Sequence, residues 1–245
     1  MKRQAWAFLA SLGTTVMTIT ALARADLSWA TGWGVASIAL WLAARNWNRK
    51  SPKPFPYVLR WFLHLPRIGQ SARQVKLILQ PRRGERLLEV GPGIGTHALP
   101  VAAPLAPDGF LMVFDVQREM LNEIERRAAK AGITNIRSTQ GDATRLPYVD
   151  RVFDGAYLIG VLGEIPDQDA ALRELWRVLK PHGRLVIGEI FVDPDFSSLA
   201  SVRGRMRRAG FVFRNKLGVA PAYLARFQRA EVRSAAPDAE KHFDG

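Results

Sequence analysis

Three glycines at two-residue spacing, Gly91, Gly93 and Gly95, follow a short apolar run, Leu87-Leu88-Glu89-Val90, that carries one carboxylate. Glycine is required where a backbone turns tightly or approaches a ligand with no Cβ in the way. Between a strand and a helix, such a loop can cradle an adenosine-bearing cofactor at the edge of a parallel sheet. Without a ligand it is a plain tight turn. Two further acids stand in comparable places. Phe110-Leu111-Met112-Val113-Phe114 reads as a buried strand closing on Asp115. This acid lies about twenty residues past the loop, where a carboxylate can accept both hydroxyls of a ribose. Asp115 could also cap the helical run from Gln117 to Ala131. A third short strand, Ile136 to Gln140, ends in Gly141-Asp142-Ala143.

The spacing separates two cofactor classes. A dinucleotide loop places its third glycine five residues after the first. Here that position is Thr96, and the third glycine arrives one residue early. With Glu89 two residues ahead of Gly91, the loop resembles motif I of the class I S-adenosylmethionine-dependent methyltransferases. Later segments resemble the same family in order. Val152 to Leu158 is similar to its fourth strand. Leu175 to Ile187 is similar to its helix-turn-strand element, with Pro181 expected to end the helix and Gly183 to permit the turn. Phe211 to Arg214 and Tyr223 to Phe227 are similar to its last two strands, an antiparallel pair.

The resemblance is tight from about Gln74 to Phe191 and loose beyond. It implies a Rossmann-like α/β fold: a doubly wound, seven-stranded, mostly parallel sheet with an antiparallel last strand. The implied cofactor is S-adenosyl-L-methionine, at Glu89, Gly91, Gly93, Gly95, Asp115, Val116, Asp142 and Ala143, with Asp142 beside the adenine.

Methyl transfer from a sulfonium is an in-line displacement, so the protein mainly orients donor and acceptor and excludes water. A base is needed only where the acceptor must lose a proton, and none can be singled out. His97, Tyr157 and Glu164 are candidates for the substrate pocket: His97 follows the glycine loop, and the other two flank the end of the fourth strand. Each has a plain alternative, His97 as a helix start and Tyr157 and Glu164 as structural groups. No Asn-Pro-Pro-Tyr or Asp-Pro-Pro-Tyr tetrad follows the fourth strand, which disfavours amine methylation on nucleic acid. The Leu146-Pro147-Tyr148 and Phe153-Asp154 region resembles instead the branch acting on quinones, sterols, phospholipid amines and other small molecules. The expected acceptor is a lipid or lipophilic small molecule. The alternative is a methyltransferase or binding protein acting on RNA or protein, recruited by its basic surface.

The composition narrows the chemistry further. The chain of 245 residues has no cysteine, which removes disulfides, thiolate zinc sites and cysteine nucleophiles. Its four histidines show no metal-ligand spacing, and no metal is expected. A hydrophobic content of 48% supports a packed core. The net charge of +13 implies an anionic partner, nucleic acid or an anionic membrane surface.

Gln4 to Ala23 and Leu27 to Ala44 carry no charged residue, and the basic residues Lys2, Arg3, Arg45, Arg49, Lys50 and Lys53 bracket them. A bilayer crossing takes about twenty residues. Residues 1–50 are therefore expected to form a two-helix membrane anchor in the cytoplasmic membrane, with both ends and the catalytic domain in the cytoplasm. Such an anchor makes an anionic bilayer the expected partner and disfavours nucleic acid. The rival readings are a secretory signal in the first segment and a helical hairpin packed on the domain. Residues 51–69 read as a proline-stiffened linker and a segment, Tyr57 to Leu65, that could lie at lipid headgroups, roof the acceptor pocket or pack as an ordinary helix. Residues 70–228 form the expected methyltransferase domain and 229–245 a disordered tail.

Overall fold

The computed structural model describes residues 3–23, 27–50, 52–64, 69–219 and 221–230. Two helices, α1 (Arg3–Ala23) and α2 (Leu27–Lys50), precede a 3₁₀ segment, Tyr57–His64. Then α3 (Ala72–Leu79) leads into β1 (Arg86–Val90), α4 (Ala98–Ala102), β2 (Phe110–Asp115), α5 (Arg118–Lys130) and β3 (Ile136–Gln140). The second half holds β4 (Phe153–Ile159), α6 (Gln168–Val178), β5 (Leu179–Ile190), α7 (Leu199–Arg208), β6 (Phe211–Val219) and β7 (Ala222–Arg229).

The seven strands form one sheet in the order β3-β2-β1-β4-β5-β7-β6. Neighbours from β3 to β5 are parallel, and β7 runs antiparallel to both β5 and β6. The expected mostly parallel sheet with its antiparallel last strand is therefore present. The central strands β1, β4 and β5 are largely buried on both faces, as helix-covered parallel strands require, whereas the edge strands β3 and β6 are largely open. Alternation sends Leu88, Phe114, Ala156, Leu185 and Ile187 to one core with α6 and α7. Leu87, Leu111, Val113, Tyr157 and Val186 go to the other, with α3, α4 and α5. Strand order reverses between β1 and β4, and the ends of these strands open the crevice where such folds bind ligands.

The helix-turn-strand element differs in detail from expectation. Helix α6 ends at Val178, before Pro181, and β5 begins at Leu179. The left-handed residue of the turn is His182 (φ +62°). Gly183 is needed for space: a Cβ there would lie 2.8 Å from the Lys180 carbonyl oxygen. Strand β7 extends through Arg229, whose guanidinium donates to the Leu179 carbonyl and sits 3.7 Å from the Trp176 ring centre. The expected disordered tail lies, from residue 231, outside the described residues.

The membrane expectation is corrected. Among the described residues, no helix is long and apolar enough to cross a membrane. The two-span anchor and the cytoplasmic-membrane placement fall with that finding. Lack of charge was the misleading signal. These helices are diluted by small polar residues, and Thr14, Thr18, Thr20 and Ser37 return their hydroxyls to helix carbonyls one turn earlier. Helix α2 is instead tied to the domain. The Trp41 ring lies 4.9 Å from that of Phe191, and its Nε1 donates to the Val192 carbonyl at 3.5 Å. Arg45 donates to the carbonyls of Pro194 (3.4 Å) and Phe196 (3.1 Å).

Arg177 fastens the long β3–β4 connection to α6. Its guanidinium donates to the carbonyls of Leu146 (2.9 Å) and Tyr148 (2.7 Å) and to the carboxylates of Asp150 (2.8 Å) and Glu174 (2.7 Å). Arg177→Ala removes these four bonds together and should lower unfolding free energy by roughly 1–2 kcal/mol, since Leu146 stays buried while the exposed Asp150 is re-solvated. Urea unfolding followed by circular dichroism checks this, and a loss below ~0.5 kcal/mol would count against the fastening role.

Candidate active site

The glycine loop leaves β1 at the reversal of the sheet. Gly91, Gly93 and Gly95 all have left-handed backbones, with φ of +67°, +56° and +81°. Two of them also lack room for a side chain on the cavity side. A Cβ at Gly91 would lie 2.5 Å from Val161 Cγ2, in the loop after β4, and one at Gly93 would lie 3.0 Å from Leu63 Cδ1, in the 3₁₀ segment above. Gly95 packs against Ile124 and Leu99. The Gly91 N–H donates to the Phe114 carbonyl (2.9 Å), which fixes the loop to the end of β2.

One cavity of about 1340 Å³ opens over these strand ends. Of the residues expected at the site, Gly91, Gly93, His97, Asp115, Val116, Asp142, Ala143 and Glu164 line it, whereas Glu89, Gly95 and Tyr157 do not. Asp115 ends β2 nearly buried and accepts the Gln117 N–H at 2.8 Å. Burial pushes its carboxyl up to about 6. Asp142 accepts the Thr144 N–H at 2.8 Å, which fixes the turn after β3.

Tyr157 stands away from the acceptor side. Its side chain is fully buried in the core beneath the sheet, because β4 alternation turns it to the same face as its β1 partner, Glu89. Its hydroxyl donates to Glu89 Oε2 at 2.8 Å. Burial pushes the Glu89 carboxyl up to about 8; the Tyr157 hydroxyl opposes the shift and nearby Asp115 adds to it. His97 occupies the position before α4, its ring nearly buried, with Nε2 donating to the Gln70 carbonyl at 2.9 Å.

Several lining residues carry no local sequence signal. Ile38, Trp41 and Leu42 come from α2, Phe55 from the linker, and Phe191, Val192 and Asp193 from the loop after β5. Phe55 bridges two walls of the cavity: its N–H donates to Glu164 Oε2 (3.1 Å) and its carbonyl accepts from Gln117 Nε2 (2.9 Å). The one available hint was an aromatic clamped between Pro54 and Pro56. Burial drives the Glu164 carboxyl well above its usual range, and Asp193, Asp195 and Asp115 add to that while the Phe55 N–H opposes it. Among the described residues, no cluster of His, Asp and Glu has the geometry to hold a metal ion.

A doubly wound sheet whose glycine loop and strand-end acids meet in one cavity defines an α/β cofactor-binding domain of the methyltransferase type. Residues 87–183 match the family described as a methyltransferase domain. The chain is 34% identical over 122 residues to the ubiquinone/menaquinone biosynthesis C-methyltransferase UbiE of Vibrio vulnificus, covering 49% of this chain and 46% of that protein. It is 31% identical over 134 residues to the 27-O-demethylrifamycin SV methyltransferase of Amycolatopsis mediterranei, covering 54% of this chain and 48% of that one. The chain thus spans about half the length of the curated relatives it matches. In structure it is similar to a SAM-dependent methyltransferase from Aquifex aeolicus (TM-score 0.65, 21% identity, 71% of this chain and 98% of that one). It is also similar to the [4+2]-cyclase SpnF (TM-score 0.59, 19% identity, 65% and 79%). At these identities the structural likeness speaks for the fold, and the cyclase is a reminder that this fold does not fix a reaction.

The cofactor of this class is S-adenosylmethionine, and the residues present fit it. The loop glycines leave no Cβ between backbone and cavity, and a nearly buried acceptor, Asp115, borders the same space.

The raised carboxyls give a signed pH dependence. Glu89 moves from 4.5 unfolded to about 8 folded. The folded state therefore binds this proton more tightly, and the associated stability is present below pH 4.5 and lost as pH rises through about 8. Glu89→Gln keeps the shape and an acceptor for the Tyr157 hydroxyl but removes the ionisation. The cofactor-free variant should unfold at a higher denaturant concentration than wild type above pH 8 and show a flatter stability profile between these limits. Guanidinium titrations at several pH values check it; parallel profiles would overturn the assignment.

Proposed function

We propose that this protein transfers a methyl group from S-adenosylmethionine to a lipid or lipophilic small-molecule acceptor. The observation that carries this reading is the two-sided cavity. One side is the glycine loop with Asp115 and Asp142, and the other is the apolar wall of Ile38, Leu42, Phe55, Phe191 and Val192. Sites for one small ligand usually enclose roughly 300–1,000 Å³, so a volume of about 1340 Å³ leaves room for a cofactor and an acceptor together.

The roles follow from position. Gly91, Gly93 and Gly95 shape the loop over which the cofactor lies, with Glu89 and Tyr157 bracing it from behind. Asp115 accepts ribose hydroxyls and Val116 borders them, while Asp142 and Ala143 border the adenine. Bound there, the cofactor supplies an electrophilic methyl on a sulfonium. The chain's own residues hold it in line with the acceptor, beneath the partial cover formed by α2 and the linker. Both named relatives support a lipophilic acceptor: one is a C-methyltransferase of ubiquinone/menaquinone biosynthesis, the other an O-methylating rifamycin enzyme by name.

A macromolecular acceptor draws less support. Arg203 of the basic helix α7 stacks on Phe213 at 4.3 Å, and Arg205 pairs with Asp169 at 3.0 Å. Part of that positive face is spent inside the domain.

Incubation with methyl-labelled S-adenosylmethionine and a total cell extract, followed by separation of lipid, protein and RNA, tests the reading. Label is expected in the organic-soluble fraction and should fall at least about tenfold with Asp115→Ala or Gly93→Arg, since each removes a cofactor contact worth a charged hydrogen bond or fills the cradle. Label confined to RNA or protein would overturn the acceptor class.

A further inference from the structure

The loops after β4 and β5 meet the cover at Glu164. This residue follows Gly160 (φ +68°), which turns the chain off β4, and closes a single 3₁₀ turn, its N–H donating to the Val161 carbonyl at 2.9 Å. Val161 is the residue whose methyls abut Gly91. Glu164 therefore stands three positions from the glycine loop's neighbour, while its Oε2 accepts the Phe55 N–H from the apolar cover. It lies between the cofactor side and the apolar side of one cavity that it lines.

We propose that Glu164 is the residue that receives the acceptor: its carboxylate accepts a hydrogen bond from the hydroxyl of an otherwise apolar, ring-bearing acceptor and takes that proton. The step balances simply. The acceptor O–H bond breaks, the proton passes to the Glu164 carboxylate, and the bonding pair stays on the acceptor, which becomes the stronger nucleophile. This inference rests on the methyltransferase reading and adds to it the acceptor's polar group and the residue that meets it.

A hydroxyl fits this position better than an amine. A half-buried carboxylate stabilises an ammonium, whose nitrogen has no lone pair to offer the methyl group. The same carboxylate makes a hydroxyl more reactive. The charged groups around Glu164 agree with a base. Asp193 and Asp195 from the loop after β5 and Asp115 from β2 face it, and Lys53 of the linker lines the same cavity. Burial with these carboxylates raises Glu164 well above an ordinary glutamate, which strengthens its hold on a proton.

The test uses the full chain saturated with S-adenosylhomocysteine and titrated by calorimetry with 2-naphthol and with 2-methoxynaphthalene, which has the same rings and no proton to give. Wild type should prefer 2-naphthol by about tenfold, the size of a hydrogen bond to a charged acceptor. Glu164→Ala should bring the two ligands within about twofold, with S-adenosylhomocysteine affinity unchanged. Glu164→Gln keeps an acceptor oxygen but cannot take the proton. Its smaller preference should not vary with pH, whereas that of wild type should grow as the pH rises and Glu164 ionises; this readout serves if the alanine variant fails to fold. A preference that survives in both variants, or no binding of either naphthalene, overturns the proposal. Failure of wild type to bind S-adenosylhomocysteine would instead overturn the methyltransferase reading and this inference with it.

Discussion

A buried hydrogen bond from Tyr157 to Glu89 joins the two strands that flank the reversal of the sheet. Everything at the site is placed relative to that junction. The glycine loop leaves β1 two residues after Glu89, and the loop that meets it leaves β4 three residues after Tyr157. A carboxyl buried without a donor would be costly, and an unbraced pair of strand ends would let the loop drift. The bond answers both needs.

From this junction the cavity wall is assembled in two layers of different origin. The lower layer is strand ends and tight turns, whose positions are fixed by parallel pairing and by two buried cores. The upper layer is the cover. Phe55 is held on both sides by its backbone, and Trp41 and Arg45 are fastened to residues 191–196. The lower layer supplies polar groups that would orient a cofactor. The upper layer supplies apolar surface, and between them stands the half-buried carboxyl of Glu164. The residues of the apolar wall, Ile38, Leu42, Phe55, Phe191 and Val192, all come from segments outside the matched family region, residues 87–183.

The legible and illegible parts of the site differ for the same reason. Gly91, Gly93 and Asp115 could be placed at the cavity because a βα turn fixes its loop and strand-end residues by short-range spacing alone. The sequence left Tyr157 open between pocket and structural group, because strand alternation gives the face of a residue only once the neighbouring strand is known, and its partner Glu89 is sixty-eight residues away. Phe55 was visible as a proline-flanked aromatic but not as a bridge, since its partners, Glu164 and Gln117, are remote in sequence. The N-terminal helices illustrate the converse error. Absence of charge is a local property, whereas what those helices bury against is a tertiary one.

The sequence by itself determined the sheet's class, the glycine loop and the order of the strand-end acids, because these depend on local conformational preference and on the two-residue and three-to-four-residue periods of strand and helix. Only the tertiary structure decided that Tyr157 braces Glu89, that α2 and Phe55 close over the cavity, and that Glu164 stands beneath them. Those placements depend on which distant surfaces bury one another, and hydrophobic burial is non-directional. No local pattern in the chain specifies its partner.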